Sequence, residues 1–83
     1  MSIEQLRKEI DRLDIEIATL LDKRTGVVQE VVKLKKANNA PLYAPDREKE
    51  VLANVSQCAR TLDKENMRQI YEFILTVTKK QLS

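Results

Sequence analysis

Arg24 stands in a row that otherwise holds only aliphatic side chains. Leu6, Ile10, Leu13, Ile17, Leu20, Arg24, Val27, Val31 and Leu34 recur at alternating spacings of four and three, the period of a helix seam, and a permanent cation takes a central place among them. Lys35 follows eleven residues later. At 100° per residue the two fall within about 20° of each other, three turns apart on one face, with Val28 and Val31 between them. That face offers a guanidinium, an apolar floor and an ammonium in order. Arg47 and Glu48 precede a second apolar face by one turn, and Gln81 ends a third apolar row, Met67, Ile70, Ile74 and Val77, with an amide. Three cations and an amide set against one nearby carboxylate leave positive charge on apolar faces, which is costly unless an anion arrives. A small dianion is the ligand such a pattern fits.

Plainer roles exist for each residue. Arg24 could set the register of the seam, paired with Glu16 or Glu30 of a neighbour. The cluster Lys33, Lys35 and Lys36 could be a solvated helix end favoured by the dipole. Arg47 and Glu48 could be first-turn surface charge, and Gln81 part of a frayed terminus.

Composition narrows the chemistry. There is no histidine, so neither a Ser-His nor a Cys-His nucleophile pair nor an imidazole metal ligand is open to the 83-residue chain. Gly26 is its one glycine, which excludes a P-loop and a dinucleotide fingerprint. The single cysteine, Cys58, lies among Val55, Ala59 and Leu62 and is expected to pack as a small hydrophobe. A net charge of +2 with Tyr43, Tyr71 and Phe73 as the only aromatics gives neither the field nor the stacking platforms of a nucleic-acid binder. Glu4, Arg7, Lys8 and Glu9 occupy the N-terminal region in place of an apolar signal core, and no apolar run approaches the ~18 residues of a membrane span. The expectation is a cytoplasmic protein without membrane or nucleic-acid partners, using charge and hydrogen bonds, without metal or cofactor.

The elements that must position these residues are helices. Ser2 and Gln5 form a capping box, the seam runs to about Leu34, and ANNAP at 37–41 supplies the stop. That gives a first helix of about 35 residues, roughly 50 Å long, wider than any globule of this size. Pro45 opens a second helix, with Asp46 and Glu48 in its first turn and Val51, Leu52, Val55 and Cys58 or Ala59 on its apolar face. Asp63 caps a third, with the stripe Met67, Ile70, Ile74 and Val77 and with Tyr71, Leu75 and Leu82 beside it. The fold class is all-α, three helices in a single domain over 1–83. Two short helices cannot cover so long a seam, so a homodimer pairing two first helices is expected. Arg7 lies seventeen residues before Arg24, more than about 25 Å along the axis, and could reach only a partner's pocket.

LRKEIDRLDIEIATLLDKR at 6–24, VVKLKK at 31–36 and PLYAPDREKEVL at 41–52 together resemble the all-helical chorismate mutase family, over nearly the whole chain. The resemblance implies an intertwined homodimer that rearranges chorismate to prephenate, in aromatic amino-acid biosynthesis, by a [3,3] shift without nucleophile, metal or cofactor. It implies that Arg24 pairs with one substrate carboxylate and Arg7 of the other subunit with the second. Lys35 would touch a carboxylate and the ether oxygen, Glu48 the ring hydroxyl, and Arg47 would support that corner. Val31, Val51 and Ile74 would form apolar walls, with Gln81 as a further donor and Thr78 as a small polar contact. The last two belong to registers one residue apart: Gln81 goes with Ile70 and Val77, Thr78 with Tyr71 and Leu82. The chain also departs from the family's usual acidic residue near Arg47, where it has Tyr43 and Ala44. Carboxylate clamps equally suit an isochorismate pyruvate-lyase or an aminochorismate mutase of the same fold, and a non-catalytic dimerising module of a shikimate-pathway enzyme is the alternative of another class.

Overall fold

The computed structural model describes residues 1–82. Its elements are three helices in the expected order: α1 (Ile3–Ala37), α2 (Pro45–Ser56) and α3 (Lys64–Leu82), with no strand among the described residues. The chain divides into two compact units, and the division falls inside α1, after Lys33.

The first unit is the single helix up to Lys33. Its start is the expected capping box: the Gln5 amide donates to the Ser2 hydroxyl at 3.2 Å, and the Ser2 amide donates to Gln5 Oε1 at 2.9 Å. No residue of α1 is buried. The seam side chains Leu6, Ile10, Leu13, Ile17, Leu20 and Val27 are between 43% and 65% exposed, an apolar edge that a solitary helix cannot hide. Gly26 sits in the helix interior without a positive φ, and a Cβ built there meets nothing within 4 Å.

In the second unit α1 ends in a Schellman motif. Asn39 adopts φ 55°, its amide donates to Lys36 O at 3.2 Å, and the Ala40 amide donates to Lys35 O at 2.8 Å. Asparagine tolerates that left-handed conformation better than most residues, which is why ANNAP stops the helix. Pro45 occupies the first turn of α2, where its missing N–H costs nothing. Just beyond its far end the Arg60 guanidinium donates to Gln57 O (2.7 Å) and Ala59 O (3.0 Å), tying down the turn that leaves the helix. Asp63 caps α3 as expected, its Oδ2 accepting from the amides of Glu65 and Asn66 at 3.0 and 3.2 Å.

α2 and α3 pack on each other as a hairpin. Val51, Leu52 and Val55 of α2 are half-buried, as are Met67, Tyr71, Ile74, Thr78 and Leu82 of α3, and Leu75 and Ala59 are buried. Two expectations are corrected here. The covered stripe of α3 runs through Tyr71, Leu75, Thr78 and Leu82, while Ile70 and Val77 stay 49% and 47% exposed. α3 carries two apolar rows, and α2 takes the one with the larger ring and the leucines. Cys58 is exposed rather than packed: Ala59 holds the covered place just beyond α2, and the Cys58 thiol faces Asn54 O at 3.6 Å.

Two measurements check these placements. Gly26→Ala is expected to stabilise the fold by about 0.5–1 kcal/mol in denaturant titration, because an unstrained helical glycine loses backbone entropy that alanine does not; a loss would reveal another backbone against that turn. Cys58 is expected to react with a thiol reagent in the native protein at the rate of an exposed cysteine, whereas protection until unfolding would return it to a core.

Candidate functional site

Within the first unit, Arg24 is half-buried on the seam face of α1 while its neighbours Asp22, Lys23 and Val27 are exposed. A guanidinium that lies partly out of water on an apolar row is placed to meet an anion with less competition from solvent. Glu30, one of the acids considered as its counter-charge, forms an exposed ion pair with Lys33 at 3.4 Å. Arg7 is exposed near the start of the same helix, and Val31 is 43% exposed.

The second unit holds the other residues. Lys35 is half-buried in the last turn of α1, and its ammonium donates to Leu42 O at 3.3 Å, which ties it to the connecting segment. Arg47 and Glu48, expected to lean together toward the core, diverge. Successive residues of a helix point 100° apart, and only Glu48 takes the packed side. Its side chain is 25% exposed, and Lys79 of α3 reaches both carboxylate oxygens, at 3.2 Å to Oε2 and 3.4 Å to Oε1. Arg47 is exposed and forms an ion pair with Glu50 one turn along α2. Val51 and Ile74 are half-buried, and Thr78, also half-buried, donates its hydroxyl to Ile74 O at 2.8 Å. Gln81 is exposed on the side of Ile70 and Val77, and Leu82 follows Thr78 on the covered side. The structure thus separates the two registers that the sequence left open, and Thr78 belongs to the one against α2.

Lys79 is the residue sequence reasoning missed. Its ammonium pairs with Glu48 and also lies over the Tyr43 ring, 4.8 Å from the centroid. It follows the buried Leu75 by one turn, and that spacing was the available signal. Among the described residues no cluster of His, Cys, Asp or Glu could hold a metal ion, and no helix is long and apolar enough to cross a membrane.

What this set can do chemically is hold an anion, donate hydrogen bonds from ammonium and guanidinium groups, and accept one at Glu48. The family described as chorismate mutase type II matches residues 6–82. Among curated relatives, a bifunctional chorismate mutase/prephenate dehydratase of Aquifex aeolicus is 38% identical over 53 residues, 64% of this chain and 15% of the relative. A T-protein of Haemophilus influenzae is 45% identical over 47 residues, 57% of this chain and 12% of the relative. The chain therefore spans less than a fifth of the length of either. Among solved structures, a chorismate mutase from Thermus thermophilus superposes with a TM-score of 0.89 at 34% identity, over 94% of this chain and 90% of that one. A chorismate mutase from Helicobacter pylori in complex with prephenate superposes with a TM-score of 0.83 at 35% identity, over 94% and 86%.

Proposed function

The chain belongs to the chorismate mutase type II family, and from that membership we propose that it converts chorismate to prephenate in aromatic amino-acid biosynthesis. The observation that carries this reading is the half-buried guanidinium of Arg24 on the apolar row of α1, in a chain whose family match runs from end to end of the helical fold. The Helicobacter pylori relative, of like fold, holds prephenate.

The reaction is an intramolecular [3,3] shift: one C–O bond breaks as one C–C bond forms, and no atom enters or leaves. The protein has no proton or electron to supply to the balance, so no cofactor is required. What it can supply is geometry and charge. Arg24 clamps one carboxylate of the dianion, and Arg7 of a second copy holds the other carboxylate region. The pair selects the compact diaxial conformer in which the reacting carbons approach. As the C–O bond lengthens, negative charge grows on the ether oxygen. The Lys35 ammonium, aimed there, stabilises that charge more than it stabilises the ground state. Glu48 accepts from the ring hydroxyl, Arg47 supports that corner through Glu50, Thr78 offers a small polar contact, and Val31, Val51 and Ile74 form the apolar walls. Gln81 is the further donor the family resemblance suggests, and its exposure sets it apart from the others.

A homodimer completes the proposal. The seam of α1 is exposed along its length, and a second copy is the surface with matching periodicity. A cytoplasmic location suits an enzyme of this class.

Incubation with chorismate and with isochorismate, followed by ultraviolet assay, is expected to yield prephenate from the first and no salicylate from the second; salicylate would reassign the chain to lyase chemistry. Arg24→Ala and Lys35→Ala are each expected to lower turnover about 100- to 1000-fold at unchanged helicity, the usual cost of one preorganised donor. Full turnover in either removes that residue from the site. In the same series, a comparable loss in Gln81→Ala assigns its amide to the substrate, and unchanged turnover leaves that place to Leu82. Sedimentation equilibrium is expected to give twice the chain mass of 9.6 kDa; a monomer that still turns over would exclude Arg7 from a partner's site.

A further inference from the structure

We infer that Lys79 is a positioning residue that holds and neutralises the Glu48 carboxylate for the hydroxyl of the substrate, an inference that rests on the chorismate reading of the site. Glu48 stands in the first turn of α2 with its side chain 25% exposed. The adjacent cation, Arg47, is engaged with Glu50, so the charge partner Glu48 receives comes from α3, thirty-one residues further on. Lys79 is 50% exposed, yet it is held from two directions: the carboxylate on one side and the Tyr43 ring at 4.8 Å on the other. Tyr43 stands in the segment where the family usually carries an acidic residue, and its ring face receives a cation as that acid could have done.

The stoichiometry of hydrogen bonds leaves room for a substrate. An ammonium has three donors, and two of them suffice for the 3.2 and 3.4 Å contacts. Each carboxylate oxygen keeps a further lone pair, so Glu48 can accept from a ring hydroxyl without releasing Lys79. Two effects follow from this. A carboxylate clasped at both oxygens is already in its working rotamer, and the substrate does not have to freeze it. A bare carboxylate would also repel an incoming dianion, and Lys79 makes the pair neutral while leaving it an acceptor. The contacts that hold Lys79 are Glu48 and the Tyr43 ring, so its inferred action on the substrate runs through Glu48.

The test is a double-mutant cycle on the purified chain, with kcat and KM for chorismate measured for wild type, Lys79→Met, Lys79→Arg, Glu48→Gln and Glu48→Gln/Lys79→Met, and a thermal midpoint for each. Lys79→Met is expected to lower kcat/KM about tenfold, with part of the loss in KM, and Lys79→Arg to recover most of it. In the Glu48→Gln background the same Lys79→Met change is expected to alter kcat/KM less than about twofold. Equal factors in both backgrounds overturn the inference, as does an activity loss that follows the thermal midpoint through every variant, arginine included, because that behaviour belongs to a clasp between helices and nothing more. A wild-type chain that leaves chorismate unchanged overturns the reading of the site and this inference with it, whereas an active wild type with additive mutations overturns the inference alone.

Discussion

The apolar edge of α1 cannot be satisfied within the helix that carries it. Leu6, Ile10, Leu13, Ile17, Leu20, Val27, Val31 and Leu34 stand at seam spacing and are between 43% and 65% exposed, while among the described residues the buried ones are Ala59 and Leu75. Removing the exposed half of such side chains from water contributes roughly 1 kcal/mol each, on the order of the entire net stability of a small domain when summed. Such an edge gains stability wherever it meets another apolar surface. The proposed dimer supplies such a surface.

Along that edge, Arg24 is a departure that lowers stability. An aliphatic side chain there would continue the row and add to the hydrophobic gain, whereas a guanidinium forfeits the gain and must find counter-charge. The same exchange recurs on α3, where the covered row passes from Leu75 to the hydroxyl of Thr78 before returning to Leu82, with the exposed Lys79 beside it. Polar groups interrupt the apolar rows of α1 and α3, and α2 presents Glu48 one turn ahead of its own row. Each departure from the helix pattern is a proposed site residue or its neighbour, as expected when function is taken out of stability.

Much of the fold was legible because it is local. A capping box, a proline at N1, an asparagine stop and an aspartate cap act within four residues of themselves, and all four stand where the sequence placed them. What was not legible depends on which surface a helix meets. α3 has the rows Ile70–Val77 and Tyr71–Leu75, equal in period, and only packing on α2 selects between them. Cys58 and Ala59 were alternatives for one position, and the smaller side chain took it as the chain left α2. Lys79 was hidden for the strongest reason: its partners Glu48 and Tyr43 are more than thirty residues away, and nothing in the spacing of charges along a chain announces a pair across a hairpin. The family resemblance supplied roles for residues but not this contact, since it concerns a lysine outside the matched motifs.

A chain without histidine can still catalyse a rearrangement. No bond of the reaction needs a proton in flight or a nucleophile, so fixed charges whose protonation never changes are sufficient, and arginine and lysine are the side chains best suited to stay charged. The difficulty is then one of sign. A site for a dianion must be positive overall, yet reading a hydroxyl requires an acceptor, and the strongest acceptor available is an anion. In the proposed site the pairing of Glu48 with Lys79 at 3.2 Å answers this, since it offers an acceptor that is already neutralised. In such a site fixed charges, each held by its own element, do the chemistry.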